Sequence, residues 1–94
     1  MIISISFLFS FCKKKAPDID GQMVVIKGCE GTYLRSNDLD HTICNEDMLD
    51  KYANGSIVKA AIVNSKDCVS DRAHCYRMHG HATADGQYLI KEVN

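Results

Sequence analysis

The stretch HCYRMHGH, His74 to His81, gathers three of the chain's four histidines, a methionine and a cysteine within eight residues. Imidazole and thioether groups suit copper, and imidazole alone suits zinc or nickel. If the segment from about Cys75 to His81 is a strand, residues two apart share a face, which pairs His79 with His81 and sets Arg77 beside them. A guanidinium next to two would-be ligands repels a metal ion, and Met78 falls on the opposite face. The expectation is that Met78 and Tyr76 turn inward while the histidines face solvent. Read functionally instead, an exposed face carrying Tyr76, Arg77, His79 and His81 is the candidate contact surface. Binding of copper or zinc through His74, His79 and His81 is the alternative. Cys75-Tyr76-Arg77-Met78-His79 lacks the second cysteine of a haem-attachment motif, and no cofactor is expected.

Other chemistry is sparse. The sequence contains no phosphate loop, G-x-S-x-G elbow or H-E-x-x-H pair, so the chain is read as non-enzymatic. The acidic residues Asp38, Asp40, Glu46, Asp47 and Asp50 do not form an Asp-x-Asp-x-Asp-Gly calcium loop and are expected to be solvated. Asn54-Gly55-Ser56 matches a glycosylation sequon, but its turn chemistry explains it. A formal net charge of −1 offers no field to attract nucleic acid.

Five cysteines are many for 94 residues, and none falls in a C-x-x-C pair. Setting Cys12 aside leaves Cys29, Cys44, Cys68 and Cys75, an even set suited to two disulfides in an oxidising compartment. Four cysteines allow three pairings. Cys29 with Cys44 and Cys68 with Cys75 are favoured, because each pair brackets a loop that local geometry can close. A domain of this size commonly depends on such cross-links.

Cys12 has another use. Met1 to Phe11 holds no charged residue and eight of Met, Ile, Leu or Phe. That is short of the roughly 20 apolar residues that cross a bilayer, but it fits the apolar region of an export signal. Leu8-Phe9-Ser10-Phe11-Cys12-Lys13-Lys14 resembles the lipobox of bacterial lipoproteins, especially those of Bacteroidota, although Phe11 stands where that family has a small side chain. The resemblance implies lipid attachment at Cys12 and residence in the cell envelope, with the outer membrane favoured. It implies a non-catalytic binding or structural role there, the partner being an envelope protein or glycan. Inhibition of an envelope or foreign hydrolase is a further alternative. The chain then divides into a signal segment (1–11), an anchor cysteine with a flexible tether (12–20) and a domain (21–94).

These residues must be positioned by a small domain, mainly β. Asp20-Gly21 and Asp85-Gly86 read as turns, each opening a strand: Gln22 to Lys27, and Tyr88 onward. Thr32 to Arg35 and His41 to Cys44 are strand candidates joined by the polar loop SNDLD. Asn45 offers an N-cap to a helix of two to three turns, with Met48, Leu49 and Tyr52 on its apolar face. Ser56 to Asn64 alternates, with Val58, Ala60 and Ile62 facing one way and Lys59 the other. Five or six strands with one short helix after the third suggest an oligonucleotide/oligosaccharide-binding (OB) type of barrel, or an open sheet, braced by disulfides.

Overall fold

The computed structural model describes residues 19–70 and 72–94, so the expected signal segment (1–11), the expected anchor Cys12, Lys13 to Asp18, and Asp71 lie outside the described residues. Five strands follow in chain order: β1 (Ile19–Gly28), β2 (Gly31–Ser36), β3 (Leu39–Ile43), β4 (Ile57–Asn64) and β5 (Thr83–Val93). They close into a barrel in the order β1-β2-β3-β5-β4, with β4 returning to β1. β3 and β5 run parallel, and the other neighbours are antiparallel. This is the strand order of the OB barrel.

Alternation decides which side chains enter. Met23 and Val25 of β1, Leu34 of β2, Ile43 of β3, Val58, Ala60 and Ile62 of β4 and Ile90 of β5 form a single buried cluster with Leu49. Lys59, between two inward residues of β4, points out as its position requires. Ile62 has no solvent exposure, so Ile62→Ala leaves a cavity the barrel cannot collapse. The expected cost is about 2–5 kcal/mol, read as a lower urea midpoint with an unchanged slope.

The hairpin between β2 and β3 turns on Asn37 and Asp38 alone. Both have positive φ, 54° and 64°, as a two-residue turn matched to strand twist demands. The other two dipeptides expected to be turns lie inside strands. β1 already begins at Ile19, before Asp20-Gly21, and Asp85-Gly86 is internal to β5. Between the pairs Asp40 with Thr83 and Thr42 with Gln87, β5 spends two more residues than β3, and Gly86 lies in that bulge at φ +84°. A side chain at 86 would meet Asn64 Nδ2 at 2.9 Å, so glycine there serves both the backbone and the packing.

Two further expectations are corrected. The helix shrinks to one 3₁₀ turn, Glu46–Leu49, because Asn45 does not cap it. Asn45 instead pairs with β5: its Nδ2 donates to the Ile90 carbonyl (3.0 Å) and its Oδ1 accepts from the Ile90 N–H (2.9 Å). Leu49 is buried and Tyr52 packs on the core, whereas Met48 is exposed. The segment from Cys75 to His81 is no strand. The barrel is closed, so it has no edge to join, and it forms part of a long irregular connection from β4 to β5.

The disulfides join Cys29 to Cys75 and Cys44 to Cys68, a nested pairing in place of the expected Cys29 with Cys44 and Cys68 with Cys75. Loop-closure entropy grows only with the logarithm of loop length, so a separation of 46 or 24 residues is a weak obstacle once the sheet has brought the ends together. Cys29 lies in the β1–β2 turn and Cys44 just past β3, while Cys68 and Cys75 are both on the β4–β5 connection. Each cystine therefore fastens that connection to the barrel.

Candidate functional site

Tyr33 and Arg35 of β2 and Asp40 and Thr42 of β3 stand opposite one another on the face away from the core residue Leu34. Such positions usually meet water. Tyr33 is nevertheless only 6% exposed and Asp40 0%, because the β4–β5 connection lies across them. In barrels of this topology the outer face of β2 and β3, with the β1–β2 and β4–β5 loops, is where oligomeric ligands bind. Here the chain's own connection occupies that face.

Two ionic clusters hold it there. In the first, Arg35 donates to both carboxylate oxygens of Asp40, Nε to Oδ1 at 2.6 Å and Nη2 to Oδ2 at 3.0 Å. His79 comes from the connection and places Nδ1 2.7 Å from Glu30 Oε2 and Nε2 2.6 Å from Asp40 Oδ2. Carboxylates only accept, so both ring nitrogens carry hydrogen and His79 is an imidazolium. Its ring also stacks on Tyr33, with centroids 3.8 Å apart. Burial penalises this cation most, but the hydrogen bonds to Glu30 and Asp40 outweigh it and raise its pKa above the ordinary imidazole value. Burial likewise works hardest against ionisation of Asp40, and the hydrogen bonds from Arg35 and His79 overturn it and hold the carboxyl below its usual range. The hydrogen bond from His79 lowers Glu30 as well.

The second cluster centres on Glu46 in the 3₁₀ turn. Its Oε1 accepts from Thr32 Oγ1 at 2.8 Å, and its Oε2 accepts from Ser70 Oγ and from His74 Nε2, the latter at 2.8 Å. Burial again opposes the charge, and the three hydrogen bonds together keep Glu46 ionised below the ordinary carboxylate range. The expectation that Asp40 and Glu46 are solvated is thus corrected, since both are buried acceptors that clamp the connection. Asp38, Asp47 and Asp50 are exposed, as read from sequence. Asp50 pairs with Arg72 through two contacts of 2.9 Å at the surface.

Of the four residues expected as a contact surface, Tyr76 and Arg77 are exposed, His81 is half-buried, and His79 is withdrawn into the clamp. Tyr76 and Met78 were expected to turn inward, but both project into solvent. With no strand to impose alternation, the cystine at Cys75 and the clamp at His79 set their direction. The histidines do not converge on a metal position. His79 spends both nitrogens on carboxylates, His74 meets Glu46, and His81 Nε2 lies 2.9 Å from the Asp38 carbonyl. Among the described residues, the one group of three ligand-type side chains within 4.8 Å is Cys29, Glu30 and Cys75, and its two sulfurs are joined to each other. A cleft of about 280 Å³ is lined by Val69, Ile43 and Gln87 together with Thr32, Ser70 and His74, whose side chains are already bonded to Glu46.

Sequence reasoning passed over His41. It belongs to the inward row of β3, with Nδ1 3.0 Å from the Leu34 carbonyl and its ring edge-on to Tyr88. The strand parity it shares with Ile43 was the available signal. Comparison with protein-family models, curated proteins and solved structures finds no match to this chain.

Proposed function

We propose that this chain is a cell-envelope lipoprotein, anchored through a lipid on Cys12, whose barrel displays a rigid loop to a protein or glycan partner without catalysing a reaction. One observation carries the contact surface. Tyr76 and Met78 are 103% and 88% exposed, side by side with exposed Arg77, on a segment fixed immediately before and after. Large side chains normally stay mobile or fold inward, and holding them out on a fixed frame lowers the entropy lost on binding. Tyr, Arg and Met are also residue types enriched at interfaces. Two cystines support an oxidising compartment, consistent with export. The strand face that OB barrels commonly use is filled by the chain's own connection, which moves recognition onto the connection's outer surface.

The anchor and the surface are tested separately. Intact mass of the membrane-extracted protein is expected to show a diacyl- or triacylglyceryl group on a chain beginning at Cys12, and an unmodified mass starting at Met1 would sink the anchor. A photo-crosslinking amino acid at position 76 in the native envelope is expected to give a discrete product, with the same probe at exposed Ile57 as the control. Equal labelling from both positions would remove the contact surface.

A further inference from the structure

Tyr76, Arg77 and Met78 span a gap between two anchors that end on the same turn. Before the gap, Cys75 is joined to Cys29 and its N–H donates to the Cys29 carbonyl at 2.9 Å. After it, His79 is bound to Glu30, the next residue of that turn, and to Asp40, and is stacked on Tyr33. The three residues are therefore a short bridge with fixed abutments, and their side chains are exposed; the Arg77 guanidinium rests at the surface with Nη1 3.7 Å from Cys29 Sγ.

We propose that this bridge is an inhibitory loop for a trypsin-like serine protease, with Arg77 entering the specificity pocket. The inference rests on reading 76–78 as the contact surface, and it names the partner. A protease cleft grips an exposed convex segment of L-residues. Among the described non-glycine residues positive φ is confined to Asn37 and Asp38, so no left-handed kink interrupts Cys75 to His79. Trypsin-like pockets carry an aspartate at their base, and Arg77, exposed and held at the surface only by its weak contact with the Cys29 sulfur, meets it on rotating outward with a bidentate, fully desolvated ion pair. Tyr76 and Met78 supply apolar contact on either side.

The same abutments separate an inhibitor from a substrate. If the protease hydrolyses the Arg77–Met78 amide, water adds across the bond to give a carboxyl at Arg77 and an amine at Met78. The first end stays held by the Cys29–Cys75 cystine. The second stays held by His79 and by β5, which is bonded between β3 and β4. The two ends remain adjacent, so the amide can re-form with release of that water, and the complex persists. Rigid loops of this kind lose little entropy on binding, which is why protease–inhibitor pairs of ordinary interface size reach high affinity.

The test is titration of trypsin with the full-length protein, using a small chromogenic arginine substrate. Inhibition is expected with Kd tighter than about 1 μM. Arg77→Ala is expected to weaken it by about 100-fold or more while leaving the melting curve unchanged, and Arg77→Lys to stay within about tenfold. Arg77→Leu is expected to transfer inhibition from trypsin to chymotrypsin, an exchange that a merely structural arginine would not produce. His79→Ala is expected to turn the loop into a substrate cut between Arg77 and Met78. Equal inhibition by wild type and Arg77→Ala overturns the proposal. Absence of inhibition with the position-76 cross-link intact overturns this inference alone, whereas absence of both removes the contact surface with it.

Discussion

Reduction of the two cystines is expected to unfold the domain at ambient temperature. Their separations of 46 and 24 residues correspond, in the chain-entropy account, to roughly 4 and 3.5 kcal/mol of lost freedom in the unfolded chain. Domains of this size are stable by about 5–15 kcal/mol, and small ones lie at the low end. The inner loop, 44–68, lies within the outer one, 29–75, so the two contributions are less than additive; their sum still approaches the whole stability. Urea unfolding followed by far-ultraviolet circular dichroism, with and without a phosphine reductant, measures this directly. The pair Cys29→Ser/Cys75→Ser is expected to cost more than Cys44→Ser/Cys68→Ser, because it closes the longer loop and supports the His79 clamp. Peptide mapping should recover Cys29 linked to Cys75. A reduced domain with nearly the oxidised midpoint would show that the barrel core alone suffices.

The barrel was legible because burial imposes a period of two on β1 and β4, where Met23, Val25, Val58, Ala60 and Ile62 declare the inner face. The parity of four cysteines announced two cystines in the same direct way. Their pairing was not legible, because it depends on a connection that lies across the barrel, and no local pattern reports such a placement. The same cause hid the site. Asp40 and Glu46 look like ordinary acidic loop residues until His79 and His74, 39 and 28 positions away in sequence, are laid against them. Asn45 carries a cap residue's chemistry but spends it on β5, since a tertiary partner outcompetes the helix end. The alternation assigned to Cys75 to His81 failed because alternation follows from a strand, and the closed barrel offered none.

The second large effect is electrostatic. Asp40 and Glu46 have carboxyls lowered from 3.8 and 4.5, so their stabilisation is complete above those values and disappears as pH falls through the lower, folded ones. His79 is raised from 6.5, so its contribution is complete below 6.5 and disappears as pH rises through its higher folded value. Stability should therefore be greatest between about pH 4.5 and 6.5, falling on the alkaline side as His79 loses its proton and on the acid side as the clamp carboxylates gain theirs. Asp40→Asn tests the arrangement at its centre. The substitution keeps the shape but leaves Arg35 and His79 facing an amide inside a dry contact, with Glu30 the one carboxylate still bonded to the ring. Removing one partner of a fully buried ion pair costs about 3–5 kcal/mol, and with the Arg35 side chain 33% exposed the expected loss lies at the low end of that range. The substitution should also move the alkaline decline to lower pH, since His79 loses the group that helped retain its proton. Asp50→Asn, which breaks an exposed pair with Arg72, should leave the midpoint nearly unchanged and the pH profile intact. If Asp40→Asn and Asp50→Asn behaved alike, the connection would be held by its cystines alone.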